Sequence, residues 1–131
     1  MSREREIIST DKAPAAVGPY SQAVRLGDLI YTAGQIALVP ETGQLVSDET
    51  EAQTRQVMTN LSNVLEAAGS NLANVVKTTI FVTDLADFAL INNIYGSFFT
   101  ADPPARSTVQ VAALPLGAKV EVEAVAVVDQ S

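Results

Sequence analysis

The stretch Lys119-Val120-Glu121-Val122-Glu123-Ala124-Val125-Ala126-Val127-Val128 alternates with a period of two, the mark of a strand with two unlike faces. Val120, Val122, Ala124 and Ala126 fall on one face, and Lys119, Glu121, Glu123, Val125 and Val127 on the other. Before it, across the turn Leu114-Pro115-Leu116-Gly117-Ala118, residues 106–113 read as another strand. The two are expected to pair as an antiparallel hairpin. Opposed residues in such a pair point the same way, so the hydrophobic pattern sets the parity. Val109 and Val111 then join Val120, Val122 and Ala124 under the helices, with Gln110 opposite Glu121 and Thr108 opposite Glu123. Arg106, Thr108, Gln110, Glu121 and Glu123 converge on the second face. Ala112, Val125 and Val127 share that face, and two helices cover only one side of a sheet. Another subunit is therefore expected to bury it, placing a site there at or near a subunit interface.

Working outward, Pro103-Pro104 closes a helix that Asp84 is expected to cap. Its apolar face holds Leu85, Phe88, Ile91, Tyr95, Phe98 and Phe99, with the polar Asn92 among them. Residues 75–83 are β-branched almost throughout and predict a buried strand. Val57, Leu61, Val64, Leu65 and Ala68 keep helical spacing, with Asp48 and Glu51 as an N-terminal capping arrangement and Gly69 as the C-cap. Residues 23–26 and 29–33 flank the hairpin turn Gly27-Asp28, and 6–9 form a short strand. The prolines and glycine of 13–19 mark a loop, and Gly34 and 40–43 mark turns. The order is strands, helix, strand, helix and two strands. No repeat or linker interrupts it, so residues 1–131 are expected to form a single α+β domain.

Composition narrows the chemistry. With 47% hydrophobic and 18% charged residues the chain is globular, and its apolar runs are far too short to span a membrane. No apolar leader follows Met1, so a cytoplasmic location is expected. Fifteen acidic residues against eight basic ones give a net charge of −7, which disfavours nucleic acid as a partner. There is no Cys and no His. Thiolate nucleophiles, zinc-thiolate sites and the Ser-His-Asp triad are therefore excluded. Catalysis has to come from carboxylates, arginine, hydroxyls, amides and backbone groups. Taken singly, Arg106 beside two glutamates also reads as a strand-face ion pair, Glu121 and Glu123 as a solvated face, and Asn92 as a loop-bonded amide. Tyr20 likewise reads as a packing residue, and Gly34 as a turn former.

The segments Ala13-Pro14-Ala15-Ala16-Val17-Gly18-Pro19-Tyr20-Ser21-Gln22-Ala23 and Thr32-Ala33-Gly34-Gln35-Ile36 resemble motifs of the Rid (YjgF) family. So do Val76-Lys77-Thr78-Thr79-Ile80-Phe81-Val82 with Asp84-Leu85, Phe88 and Asn92, then Pro104-Ala105-Arg106-Ser107-Thr108-Val109, and Val120-Glu121-Val122-Glu123-Ala124. They keep the family's order across nearly the whole chain. The resemblance implies a chorismate-mutase-like fold: a mixed six-stranded sheet with two helices on one face, assembling as a homotrimer with sites at the subunit interfaces. It implies hydrolysis of 2-iminobutanoate and 2-iminopropanoate to 2-keto acids and ammonia, with no cofactor or metal. In it Arg106 matches the carboxylate anchor and Glu121 the residue at the attacking water. Tyr20, Gly34 and Asn92 match positions lining the ligand pocket, and Thr108 the residue whose backbone borders it. Many members carry Cys in place of Thr108, so a thiol-based role is closed to this chain. Other classes implied are a non-catalytic ligand-binding relative, a ribonuclease or translation inhibitor, and a holdase chaperone. Arg106 weighs against the first, charge and the lack of His against the nuclease, and the lack of Cys against thiol-triggered chaperoning.

Overall fold

Alternation at the C-terminus builds the strand around which the sheet is organised. The computed structural model describes residues 4–129. Five strands precede the last: β1 (Arg5–Ile8), β2 (Ala23–Leu26), β3 (Leu29–Thr32), β4 (Val75–Val82) and β5 (Ala105–Gln110). With β6 (Val120–Val127) they form one mixed sheet in the order β1-β2-β3-β6-β4-β5. Helices α1 (Thr50–Ala67) and α2 (Phe88–Gly96) complete the fold. Val57, Met58, Leu61, Val64 and Leu65 of α1 and Ile91 and Tyr95 of α2 pack with Ile80, Val82, Val120, Val122, Ala124 and Ala126 into one core. The face of β6 assigned to the helices is the buried one, and Glu121, Glu123, Val125 and Val127 are half-buried on the other. Leu26 and Leu29 close the hairpin at Gly27-Asp28, with Gly27 at φ +61°. No helix among the described residues is long and apolar enough to cross a membrane.

The expected hairpin between the last two strands does not form. β5 pairs in parallel with β4, with Thr78 beside Arg106, Ile80 beside Thr108 and Val82 beside Gln110. β6 lies antiparallel on the other edge of β4, with Phe81 opposite Glu121 and Thr79 opposite Glu123. Proximity in sequence suggested direct pairing, but α2 supplies the long crossover that a parallel neighbour needs, so β5 is claimed by β4. The connection through Pro115–Gly117 then carries the chain past β4 to its far side. Parity inverts as a result. Arg106, Thr108 and Gln110 lie on the helix-covered face, while Val109 lies with Phe81 on the open face and is 42% exposed.

Two caps also differ. The N-cap of α1 is Glu49, without a side-chain cap; Ser47 Oγ accepts the Glu49 N–H instead, at 2.8 Å. Asp84 accepts the Ala86 N–H at 2.9 Å and caps the short 3₁₀ turn Leu85–Asp87 that leads into α2. Gly69, at φ +87°, follows the C-cap of α1 as its left-handed conformation requires.

Candidate active site

The residues singled out in the sequence fall into two groups on opposite faces of the sheet. The first is built on the edge strand β5. Arg106 Nη1 donates to Asn92 Oδ1 at 2.7 Å, and the guanidinium lies over the rings of Phe88 and Tyr95, 5.5 and 5.2 Å from their centroids. Tyr95 is fixed from below by a 2.7 Å hydrogen bond between its hydroxyl and that of the fully buried Thr78. Burial pushes the Tyr95 phenol up, outweighing the Thr78 hydrogen bond and the Arg106 charge, which pull it down. It is a neutral phenol at physiological pH. Thr108 follows Arg106 on the same face, and its buried hydroxyl has no hydrogen-bond partner among the described residues.

The second group surrounds Glu121. After Tyr31, which lies opposite Val125, pairing resumes at Gln35 opposite Val122, so Thr32, Ala33 and Gly34 oppose only Glu123 and Ala124. This one-residue bulge brings Gly34 against the Glu121 side chain. A methyl group on Gly34 would lie 2.7 Å from Glu121 Cδ, so only glycine leaves the carboxylate its place. Glu121 opens into a cavity of about 520 Å³ whose walls include Pro14, Val17, Tyr20, Ile36, Leu38 and Leu116. Burial, and secondarily the charge of Glu123, holds the Glu121 carboxyl above the usual glutamate range.

Asn92 and Thr108 thus gather with Arg106, and Tyr20 and Gly34 with Glu121. The gap between the groups is large. Glu121 faces Phe81, which lies beside Val109, and Arg106 is three residues earlier in β5. At about 3.3 Å per residue and 4.8 Å per strand this is roughly 14 Å, with the side chains on opposite faces. One small acid cannot touch both groups within one chain.

Three buried amides fix loops of the domain, and two of those loops lie in the cavity wall. Gln22 donates to the carbonyls of Thr10, Ala13 and Pro14 and accepts from the Thr10 N–H, clamping the loop before Tyr20. Asn60 donates to the carbonyls of Ile36 and Leu38, and Gln53 joins the Ser47 carbonyl to the Lys119 N–H. Sequence reasoning missed Gln53 and Asn60. Their signal was present, since both fall on the apolar stripe of α1 that carries Val57, Leu61 and Val64.

A profile of the family described as Endoribonuclease L-PSP matches residues 10–128. The chain belongs to this family, known also as Rid. It is 53% identical over 125 residues to Reactive Intermediate Deaminase A, chloroplastic, of Arabidopsis thaliana, covering 95% of this chain and 67% of that one. To the 2-iminobutanoate/2-iminopropanoate deaminase of Mus musculus it is 50% identical over 123 residues, covering 94% and 91%. The crystal structure of E. coli TdcF with bound serine superposes with a TM-score of 0.90 at 43% identity, covering 95% and 99%.

Proposed function

We propose that this chain is an enzyme that hydrolyses 2-imino acids such as 2-iminobutanoate and 2-iminopropanoate to 2-keto acids and ammonia. Arg106 has no carboxylate within ion-pair distance among the described residues, in a chain of net charge −7. That observation carries the reading, because an uncompensated guanidinium fork suits a substrate carboxylate. The names of the Arabidopsis and mouse relatives and the serine in TdcF support the same ligand class.

In the reaction a water oxygen attacks C2 of the imine while Glu121 takes one water proton and passes it to the imine nitrogen, giving a neutral carbinolamine. Glu121 then takes the carbinolamine hydroxyl proton and delivers it to the same nitrogen as the C–N bond breaks, so the keto acid and ammonia leave and the carboxylate is restored. A carboxyl held above its ordinary range works on both halves, as base and then as acid. Tyr20 and Gly34 line the water side of the site, and Asn92 and Thr108 the carboxylate side.

Because one chain separates Arg106 from Glu121, the site combines Arg106 of one copy with Glu121 of another. Exposed Phe88 beside Arg106, and exposed Val17, Tyr20 and Leu116 beside Glu121, provide apolar surface for that contact. The assembly is a homotrimer, the number taken from the family resemblance. The description Endoribonuclease L-PSP raises a nuclease as the rival, but an apolar cavity and an acidic chain suit RNA poorly.

The test couples a threonine or serine dehydratase to the purified protein and follows keto acid release, with light scattering for mass. Micromolar protein should accelerate release from both imines. An unchanged rate would refute the deaminase reading, and a monomer mass would refute the shared site.

A further inference from the structure

The groups that contact Arg106 among the described residues are all neutral. Its Nη1 is committed to the Asn92 amide, one ring of Phe88 and one of Tyr95 lie under it, and Tyr95 is tied to the Thr78 hydroxyl. Thr78 is the neighbour of Arg106 in the β4–β5 register, so the support runs back to the strand beside the one that carries the guanidinium. Nε and Nη2 make no hydrogen bond among the described residues, which leaves the side-on fork open. By contrast Arg55 pairs with Glu51 on the surface of α1.

We infer that Asn92 is a positioning residue that aims the Arg106 fork without neutralising its charge, and that this neutrality makes the site demand an anionic substrate. The inference rests on the deaminase reading for the identity of the anion. Asparagine and aspartate have nearly the same shape, and both accept from Nη1. Aspartate would bind the guanidinium more strongly, as a charge-assisted pair, and would hold it at least as still. A residue needed only to keep Arg106 in place would therefore be improved by Asn92→Asp. A residue that must leave the cation uncompensated would be ruined by it, since the new carboxylate competes with that of the substrate. Phe88 and Tyr95 fit the same scheme: an aromatic face attracts a guanidinium and leaves its charge in place.

Two measurements decide the matter. Nitrogen-15 NMR of the arginine side chains should show slowed guanidinium rotation for Arg106 in the unsubstituted protein and fast averaging in Asn92→Ala. Averaging in both would overturn the clamp, whatever the protein turns over. Calorimetry with pyruvate and 2-oxobutanoate should then give an order of affinities. Asn92→Ala should weaken binding by roughly threefold to tenfold, and Asn92→Asp by more than tenfold, with KM rising while kcat changes little. Asn92→Asp binding as well as or better than Asn92→Ala would overturn the charge argument. If the unsubstituted protein binds neither oxoacid and releases no keto acid, the deaminase reading fails, and the NMR result alone decides the clamp.

Discussion

Arg106→Ala and Glu121→Gln, each inactivating by itself, should restore activity to one another when their chains assemble together. The backbones at these two residues lie about 14 Å apart and their side chains on opposite faces of one sheet, so on the proposed reading a working site takes one from each of two neighbouring copies. Losing a desolvated, charge-assisted contact costs roughly 2–5 kcal/mol, so Arg106→Ala should lower kcat/KM by more than tenfold. Glu121→Gln keeps the shape and removes the base, so it should lower turnover while pyruvate still binds. In a ring assembled at random from equal amounts of the two variants, a site is intact when its arginine comes from a Glu121→Gln chain and its glutamate from an Arg106→Ala chain. Each condition holds in about half of cases, so about one quarter of sites recover in the unpurified mixture; among mixed assemblies alone the share rises to about one third for a trimer and about one half for a dimer. The chains should be co-expressed with different tags, purified through both, and assayed beside each parent with the dehydratase-coupled method. Mixed assemblies no more active than the mean of the parents would refute the shared site. Such a result would require both groups to serve one chain, or Glu121 to have no part in the chemistry.

Three further outcomes follow from individual residues. Glu121 is held above the ordinary glutamate range by burial and by Glu123, so the folded state favours its protonated form. That contribution to stability is complete below about pH 4 and is lost as the pH rises through the raised value, so Glu121→Gln should melt higher than the parent at pH 7 and level with it near pH 4; calorimetric melts showing no gain at pH 7 would contradict the burial. Gly34→Ala should leave circular dichroism unchanged yet cut turnover, because the new methyl displaces the Glu121 carboxylate, and full activity would show that the carboxylate need not sit there. Asn60→Leu keeps the volume but removes the donors to the Ile36 and Leu38 carbonyls, which should cost about 1–3 kcal/mol and lower the melting temperature by roughly 4–12 °C, an unchanged melt showing that water replaces the amide.

Much of this protein was legible in its sequence. The period of two in residues 119–128 sets which face of β6 is buried, and the spacing from Val57 to Ala68 sets α1, because burial of alternating or helically spaced side chains is a local rule. Gly27-Asp28 specifies its hairpin for the same reason: two residues suffice to fix that turn. The absence of Cys and His is a matter of composition alone, and it rules out thiolate and imidazole chemistry whatever the fold. The partner of β5 was not legible. Whether β5 joins β6 through a short connection or β4 through α2 is a contest between non-local pairings, and the alternation within each strand is compatible with both. Packing of the whole chain settles that contest, and with it the face on which Arg106 stands. The polar members of the apolar stripe on α1 were visible as residues, but the carbonyls they satisfy belong to loops from distant parts of the chain. The setting of Arg106 is likewise tertiary: the strand supplies the cation, α2 supplies the amide and rings, and their packing leaves it with no ion-pair partner among the described residues.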